Sequence, residues 1–289
     1  MTICIGVLAA EAKAVVCVAD KYVSYGQEII GETDSVKIVP IGDNGCHAMI
    51  AGNDDSICRV LAKLSLQDSL GKDRNESIQL CETAYKEAER EILEMRFLRP
   101  FMTVADYEKA LLKKRVNRVI RSIADEVQKN RNASDDPAFS CGLLLCGFDE
   151  GKMPYLLSLA PPGVCTDATL TGFSAIGSGS DFALKRLLDN EWSRKYAIDR
   201  ALFEVFDAKV QAENDTNVGY KWDAIVLTTD KSVPLPENTK TMIDRAWIKL
   251  NRSPYEVFDP DEMVPLPPDD WMEQLKAFAD GIIPPDTKS

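Results

Sequence analysis

Histidine is almost absent from this chain, and the sequence patterns that bind metals are missing. The 289 residues include one histidine, His47, and eight cysteines without any Cys-x-x-Cys spacing. A structural zinc site needs four ligands, usually Cys and His at short characteristic spacings, and His47 has only Cys46 beside it. Adjacent residues on a strand point to opposite faces of a sheet, so this pair is poorly placed to share a metal. We therefore expect neither a metal site nor a cofactor.

Long apolar runs and clusters of positive charge are missing as well. No segment approaches the ~20 apolar residues of a membrane-spanning helix, and the first residues lack the basic and apolar regions of a signal peptide. The chain has 34 basic and 46 acidic residues, a formal net charge of -12, and no polybasic tract that could neutralise phosphates. We expect no membrane insertion, no nucleic-acid binding and a cytoplasmic location. Most cysteines lie in apolar segments as small core residues, which fits that location.

The first twenty residues hold the most informative pattern. Two apolar runs, 2–7 and 15–20, flank a short polar gap and predict a hairpin whose first strand starts at Thr2. Chain ends usually fray unless something holds them. Removal of Met1 would leave Thr2 with a free α-amino group beside its own hydroxyl, which pairs a nucleophile with a base. Thr2 is therefore a candidate nucleophile, although it could also be simply the second residue of an edge strand.

The rest of the chain alternates between blocks of strands and blocks of helices. A run of strands, a helical block, further strands and further helices favour layers of an α+β fold over a parallel βαβ array. Residues 21–33 are predicted to be a polar connection, and Thr103 to cap the helix that follows it. Strand patterns cover 36–41, 46–51, 141–148, 155–159, 173–176 and 222–228, and helical patterns cover 54–64, 76–97, 103–129, 182–192 and 198–212.

Five short motifs, in this order, resemble the proteasome β-subunit family. They are Thr2, Asp20 at a strand end, Lys37 in Val-Lys-Ile-Val-Pro-Ile, Ala51-Gly52 before a helix, and Ile-Gly-Ser-Gly-Ser at 176–180 before another helix. The family belongs to the N-terminal-nucleophile hydrolases and includes HslV-type and ancestral-β-like bacterial proteins. The resemblance covers roughly residues 2–235. It implies a four-layer αββα sandwich, two antiparallel sheets between helical layers, with an active site at one end of the sheets.

The resemblance also implies roles for individual residues. Thr2 would be the nucleophile, and Asp20 and Lys37 its acidic and basic partners. A cationic lysine would lower the pKa of the neighbouring α-amine and so favour its neutral form, while a charge-assisted bond to Asp20 would hold the lysine. The backbone N–H of Gly52 would stabilise the oxyanion.

Two further residues would lie near the α-amine. Ser178 matches a serine of the family, and Asp215 matches the acidic residue that accompanies it. A second serine of the family pattern falls on Val218 in this chain, and a valine side chain cannot hydrogen-bond. The resemblance therefore implies a complete nucleophile with an altered surrounding of its amine.

Each of these residues has an alternative interpretation. Asp20 could be a turn residue and Lys37 a solvated strand residue, and Gly52 precedes a natural helix start. The Gly-Ser-Gly-Ser run resembles a phosphate-binding helix start, but the Gly-Lys-Ser/Thr ending of a nucleotide-binding loop is missing. Ser178 could equally be a helix N-cap.

Two regions exceed the usual length of the family. We expect a hydrolase domain at 1–252 that contains an enlarged helical segment at about 72–130, and a Pro-rich acidic extension at 253–289. The helical segment could thicken the outer layer of the subunit, or form a ring-contact or regulator-docking surface. Within the extension, Asp269 to Phe278 predicts a short amphipathic helix that docks on its own or a neighbouring subunit.

Together these features predict a threonine-type N-terminal-nucleophile hydrolase that cleaves peptide bonds without a cofactor. Its substrate would be a peptide or protein, and it would assemble with itself into a ring or stacked rings. No residue pattern in the sequence identifies a regulatory partner. The alternatives are a noncatalytic scaffold subunit of such a ring, and an amidohydrolase that acts on a small amide, because the same nucleophile can serve many acyl transfers.

Overall fold

Two five-stranded antiparallel sheets form the centre of the computed structural model, which describes residues 2–25, 28–32, 36–42, 45–113, 116–132, 139–251 and 268–283. The first sheet has the strand order β10-β1-β2-β11-β12 and the second β5-β6-β7-β8-β9, while β3 and β4 form a separate hairpin. The strands are β1 (Ile3–Ala9), β2 (Ala14–Asp20), β3 (Tyr22–Tyr25), β4 (Glu28–Glu32), β5 (Ile38–Ile41), β6 (Cys46–Gly52), β7 (Cys141–Phe148), β8 (Pro154–Ala160), β9 (Val164–Asp167), β10 (Phe173–Gly177), β11 (Trp222–Leu227) and β12 (Ser232–Pro234).

Helices cover the outer faces of both sheets. The helices are α1 (Asp54–Leu64), α2 (Arg74–Leu93), α3 (Val104–Leu111), α4 (Arg118–Asn132), α5 (Ser180–Asp189), α6 (Ile198–Ala212), α7 (Glu237–Asn251) and α8 (Trp271–Ile282). Of these, α3 and α4 pack against the end of α2 and not on a sheet. Helices α1 and α2 pack on the second sheet, and α5 to α8 pack on the first. Among the described residues, no helix combines the length and the apolar composition that crossing a membrane requires.

The side-chain alternation of β1 explains why the sheets are layered. Ile3 and Ile5 point to the core beneath α5 to α8, whereas Cys4 and Leu8 point to the core between the sheets. Such a strand is apolar on both faces, as expected for a layer buried on both sides. At Gly6 a Cβ atom would lie only 3.1–3.2 Å from side chains of the second sheet, so glycine here permits the close approach of the sheets. The predicted four-layer αββα sandwich is confirmed.

The helical segment at 72–130 forms a small core of its own. The first predicted helix is α2, continued by a π-helical turn at Glu94–Leu98, and Thr103 caps α3 by accepting a hydrogen bond from the Asp106 backbone N–H. The second predicted helix is divided into α3 and α4 rather than continuous. Buried residues from all four pieces pack together with Phe139, which lies two residues before β7: Ile92, Leu98, Tyr107 and Val127. The contacts fit an enlarged helical layer within the subunit.

Several elements differ from the sequence prediction. The polar connection predicted at 21–33 contains the β3–β4 hairpin, and β9, β12 and α7 were not predicted. Helix α8 extends the predicted 269–278 helix to Ile282 and buries Leu275 against α6 and its neighbours. The remainder of the predicted extension, apart from 268 and 283, lies outside the described residues. Cys58, predicted to be helical, is exposed, whereas the other seven cysteines are buried.

Candidate active site

Thr2 is held at the end of the first sheet by the strands on either side of it. Strand β1 lies between β10 and β2, with Ile3 opposite Gly177 and Cys4 opposite Ala19. Gly177 has φ +102°, and a Cβ atom there would lie 2.0 Å from the Thr2 carbonyl oxygen. Only glycine adopts this conformation readily and leaves that space free. The two strands therefore enclose Thr2, which is 4% exposed.

Three polar side chains meet at this point. Asp20 ends β2, and Lys37 immediately precedes β5. The Thr2 hydroxyl donates a hydrogen bond to Asp20 Oδ1, and Lys37 Nζ donates to Thr2 Oγ1. Lys37 Nζ also lies 2.7 Å from Asp20 Oδ1 and 2.6 Å from the Tyr22 carbonyl oxygen. The hydroxyl of Thr2 is thus in direct contact with both members of a buried ion pair.

The Asp20 carboxylate connects several parts of the chain. Its Oδ1 atom accepts the Ile3 backbone N–H at 2.9 Å, and its Oδ2 atom accepts the N–H groups of Gly219 at 3.0 Å and Tyr22 at 3.3 Å. Asp20 is 1% exposed, and a charge at that depth needs both a counterion and hydrogen bonds. Lys37 and the backbone donors supply them. The same contacts fix which carboxylate oxygen faces Thr2.

Gly52 ends β6 on the edge that faces Lys37. The Ile50 N–H donates to the Lys37 carbonyl oxygen at 3.0 Å, whereas the Asn53 N–H donates to Ser140 on the opposite side at 2.8 Å. Backbone groups alternate along a strand, so the Gly52 N–H points to the same edge as that of Ile50. Gly52 is exposed, has φ +121°, and a Cβ atom there would meet the Ser140 carbonyl at 2.7 Å. By this alternation we expect the Gly52 backbone N–H on the Lys37 edge of β6, at a residue that is exposed.

Ser178 and Asp215 lie at the same end of the first sheet. Ser178 follows Gly177, which contacts Thr2, and its buried Oγ atom has no hydrogen-bond partner among the described residues. Burial acts to raise the pKa of Asp215, but the Asn217 backbone N–H, 2.9 Å from Oδ1, and the nearby Ser178 hydroxyl bring it below its ordinary value. The Ser178 hydroxyl is therefore close enough to the Asp215 carboxylate to affect its pKa, although no hydrogen bond of normal geometry joins the two groups. The N-cap interpretation of Ser178 is wrong, because Gly179 occupies the cap position of α5.

The Val218 side chain makes an apolar contact at the position where the family pattern has a serine hydroxyl. It is 8% exposed, and its Cγ2 atom is 2.8 Å from the position that a Gly179 Cβ would occupy. Its backbone N–H donates to the Asp215 carbonyl oxygen at 3.0 Å. The main chain around Val218 therefore keeps a regular turn, while its side chain offers no hydrogen bond to Ser178.

Cys4 carries a buried thiol in β1, two residues after Thr2. Cys4 is fully buried, and its Sγ atom lies 3.5 Å from the Ile50 carbonyl oxygen. Burial raises the pKa of this thiol to about 12, against the opposing effect of the Lys37 charge. Because the thiolate is the nucleophilic form of cysteine, burial makes Cys4 a weaker nucleophile than an exposed cysteine. Within the described ranges, no group of three or more His, Cys, Asp or Glu side chains is arranged to hold a metal.

Sequence reasoning missed the backbone groups that complete the arrangement. The Gly219 N–H donates to Asp20, and the Tyr22 carbonyl oxygen accepts from Lys37. Gly219 and Tyr22 both act through their backbone and not through a side chain. Every residue has such groups, so no residue type marks them. The only available signal was a glycine in the turn before β11.

The model of the family described as "Proteasome subunit" matches residues 98–217. The chain resembles the proteasome subunit family. Together with the layered sheets, the match confirms the predicted resemblance to proteasome β-subunits and the proteasome-like fold. Ser178 and Asp215 lie inside the matched residues, whereas Thr2, Asp20 and Lys37 precede them. A comparison with curated proteins gives no match.

Proposed function

We propose that this proteasome-like protein is a threonine-type N-terminal-nucleophile hydrolase that cleaves peptide bonds, with Thr2 exposed by removal of Met1. The observation that carries the proposal is the buried contact of the Thr2 hydroxyl with both the Asp20 carboxylate and the Lys37 ammonium group. A structural threonine at a strand end does not need an ion pair around its hydroxyl. A nucleophilic hydroxyl gains from one, because neighbouring charged groups can activate it.

The base in this proposal is the α-amine of Thr2. An α-amine has a pKa of about 7.7–8.0 and a free lysine about 10.4, so near neutral pH the amine is the group more readily available in neutral form. The positive charge of Lys37 lowers the pKa of that amine further and stabilises negative charge that develops on Thr2 Oγ1. Asp20 holds Lys37 in place.

The reaction would proceed in two halves. The α-amine takes the hydroxyl proton as Thr2 Oγ1 bonds to the substrate carbonyl carbon, and the resulting oxyanion accepts a hydrogen bond from the Gly52 N–H. The C–N bond then breaks, and the leaving amine takes up the proton. Water, deprotonated by the α-amine, attacks the ester on Thr2. Cleavage of that ester returns the proton to Oγ1 and releases the carboxylic acid.

Val218 and Ser178 favour a second candidate, a noncatalytic scaffold subunit. The Ser178 hydroxyl is buried without a partner among the described residues, and the valine at 218 cannot supply one. A site that has lost part of the surroundings of its amine could retain the fold and lose the chemistry. Hydrolysis of a small amide is the third alternative, and screening small amides beside peptides separates it from peptide hydrolysis.

Members of the proteasome family form oligomeric rings. We infer a ring or stacked rings of identical subunits, with residues 1–252 as the hydrolase domain, 253–289 as an extension, and a cytoplasmic location. A closed ring limits access to sites inside it, which suits a hydrolase of peptides or proteins. Light scattering at micromolar concentration tests the assembly, and a monomer would contradict the ring.

Mass spectrometry of the intact protein and a covalent probe test the nucleophile. The probe is a peptide epoxyketone, which bonds to both the hydroxyl and the free α-amine of an N-terminal threonine. We expect a mass without Met1, and labelling that peptide mapping assigns to Thr2. Thr2→Ala should abolish labelling. Thr169→Ala should not, because Thr169 lies in the turn after β9 and its Oγ1 accepts the Leu156 backbone N–H of β8 in the other sheet.

The outcomes of this experiment distinguish the candidates. Retained Met1, or wild-type protein that is neither labelled nor active on peptides, would overturn the hydrolase proposal and favour the scaffold. Labelling of Thr2 with activity on small amides alone would favour the amidohydrolase.

A further inference from the structure

Lys209 is a fully buried lysine in α6. It is 0% exposed, although lysine is almost never fully buried without partners. Its Nζ atom donates to Glu213 Oε1 at 2.5 Å and to the Tyr220 carbonyl oxygen at 2.5 Å. Burial raises the pKa of Asp244 above its ordinary value, and the charge of Lys209 acts in the opposite direction. Lys209 thus contacts one carboxylate and one backbone carbonyl, and its charge also acts on a second carboxylate.

The bond to Tyr220 crosses from α6 to the segment that reaches Asp20. Glu213 lies one helical turn after Lys209, so their ion pair could exist in an isolated helix. The Tyr220 carbonyl does not belong to the helix. It lies in the turn between α6 and β11, one residue after Gly219, whose N–H donates to Asp20 Oδ2 at 3.0 Å. One residue further along, the Lys221 carbonyl accepts the Lys21 N–H at 2.9 Å.

These contacts hold the turn from two sides. Lys209 binds it from the helical layer, and Asp20 and Lys21 bind it from the end of β2. Asp20 Oδ2 has two backbone donors, and the one from Gly219 is shorter than the one from Tyr22, 3.0 Å against 3.3 Å. The final torsion of an aspartate side chain is broad. The Gly219 N–H therefore limits rotation of the carboxylate that presents Oδ1 to Thr2.

We propose that Lys209 is a positioning residue of the Thr2 site. By binding the Tyr220 carbonyl, it fixes the turn so that the Gly219 N–H holds Asp20 Oδ2 and keeps Asp20 Oδ1 directed at Thr2 and Lys37. The effect on catalysis rests on the proposed function. The effect on the turn does not, and the two can be measured separately.

The test compares Lys209→Met with Lys240→Met. Methionine is close to lysine in length but cannot donate a hydrogen bond. Lys240 is a matched control because it is 6% exposed and donates to the Trp222 carbonyl at 3.2 Å and Asp223 Oδ1 at 2.8 Å, without contacting the turn. Both variants should lose stability. Lys209→Arg retains a charged donor and should restore most of the Lys209→Met defect.

The first measurement is hydrogen exchange of the Gly219 amide. We expect Lys209→Met to speed this exchange about tenfold relative to wild type, the change for loss of one hydrogen bond, and Lys240→Met to leave it within about twofold. Equal exchange in wild type and Lys209→Met would overturn the proposal. If Lys209→Met does not fold, wild-type exchange decides: a Gly219 amide that exchanges as freely as an unstructured chain would overturn it, and protection comparable to β11 would support it.

The second measurement is the rate of Thr2 labelling by the peptide epoxyketone. We expect Lys209→Met to lower the maximal labelling rate about tenfold with little change in the concentration needed for half-saturation, because the turn orients Asp20 and does not bind the probe. Lys240→Met should label at the wild-type rate. If wild type is labelled and Lys209→Met is labelled equally fast, the catalytic part is overturned. If wild type is not labelled, the proposed function fails. The hydrogen-exchange rate of the Gly219 amide then remains as the test of whether Lys209 fixes the turn.

Discussion

Replacing Asp20 with asparagine gives a test of the site that does not require a substrate. The substitution keeps the shape of the side chain and removes its charge. In the folded protein Oδ1 accepts from Thr2, Ile3 and Lys37, and Oδ2 accepts from backbone N–H groups. The amide NH₂ of asparagine replaces one of these two oxygens, and at either position it is a donor that faces other donors. No orientation of the asparagine satisfies both sides.

The magnitude follows from the burial of the ion pair. Asp20 is 1% exposed and Lys37 is 9% exposed, so the lysine would be left as a buried charge without its counterion. Removing one partner of a buried ion pair costs about 3–5 kcal/mol. We therefore expect the free energy of unfolding to fall by about that amount. Asp20→Asn combined with Lys37→Met should recover part of the loss, because the unpaired charge is then removed.

Urea unfolding measures this difference, with Glu108→Gln as the control. Glu108 lies 3.0 Å from Arg90 and the two side chains are 51% and 61% exposed, and exposed ion pairs contribute about 0–1 kcal/mol. A loss below about 1 kcal/mol for Asp20→Asn would refute the reasoning. It would mean that Asp20 is not ionised beside Lys37, and that the charge arrangement around Thr2 is wrong.

Three further substitutions test other parts of the molecule. Val218→Ser should raise the Thr2 labelling rate while losing about 1 kcal/mol of stability through its smaller apolar side chain; an unchanged or lower rate would contradict this. Gly177→Ala should lower thermal stability by about 2 kcal/mol or more, because its Cβ would overlap the Thr2 carbonyl oxygen at φ +102°; an unchanged melting temperature would count against that contact. Burial raises the pKa of Asp244, so its ionisation opposes folding. Asp244→Asn, which still accepts from Trp222 Nε1, should raise the melting temperature at pH 7, and this gain should vanish as the pH falls through about 4, where the aspartate is protonated in both states. A gain that persisted at pH 3 would exclude this cause.

The sheet bounds were largely predictable because both faces of the central strands are buried. Residues 2–7 and 15–20 are apolar almost without interruption, and they form β1 and β2 close to the predicted limits. The break between α3 and α4 was not predicted. Residues 103–129 carry a helical pattern throughout, and no proline or glycine marks the interruption.

The position of Lys209 in α6 is a sequence signal for a buried charge that the sequence analysis did not use. Leu202, Val205, Lys209 and Ala212 recur at helical spacing, and all four are fully buried. A lysine within such an apolar stripe indicates a buried charge with a specific partner. The identity of that partner, a carbonyl in the turn after the helix, could not be inferred, because backbone groups leave no trace in residue type.

The residue patterns by themselves indicated layers of an α+β fold, and the resemblance to the proteasome β-subunit family implied the order of those layers and the polar residues at one end of the sheets. Periodicity fixes which faces are apolar, and the motifs containing Thr2, Asp20 and Lys37 stand in an order typical of the proteasome family. Only the tertiary structure decided that these three side chains touch, that Gly219 and Tyr22 complete the coordination of the charges, and that the Ser178 hydroxyl is left without a partner among the described residues. Those contacts join segments up to 199 residues apart, and their geometry depends on packing that no local pattern contains.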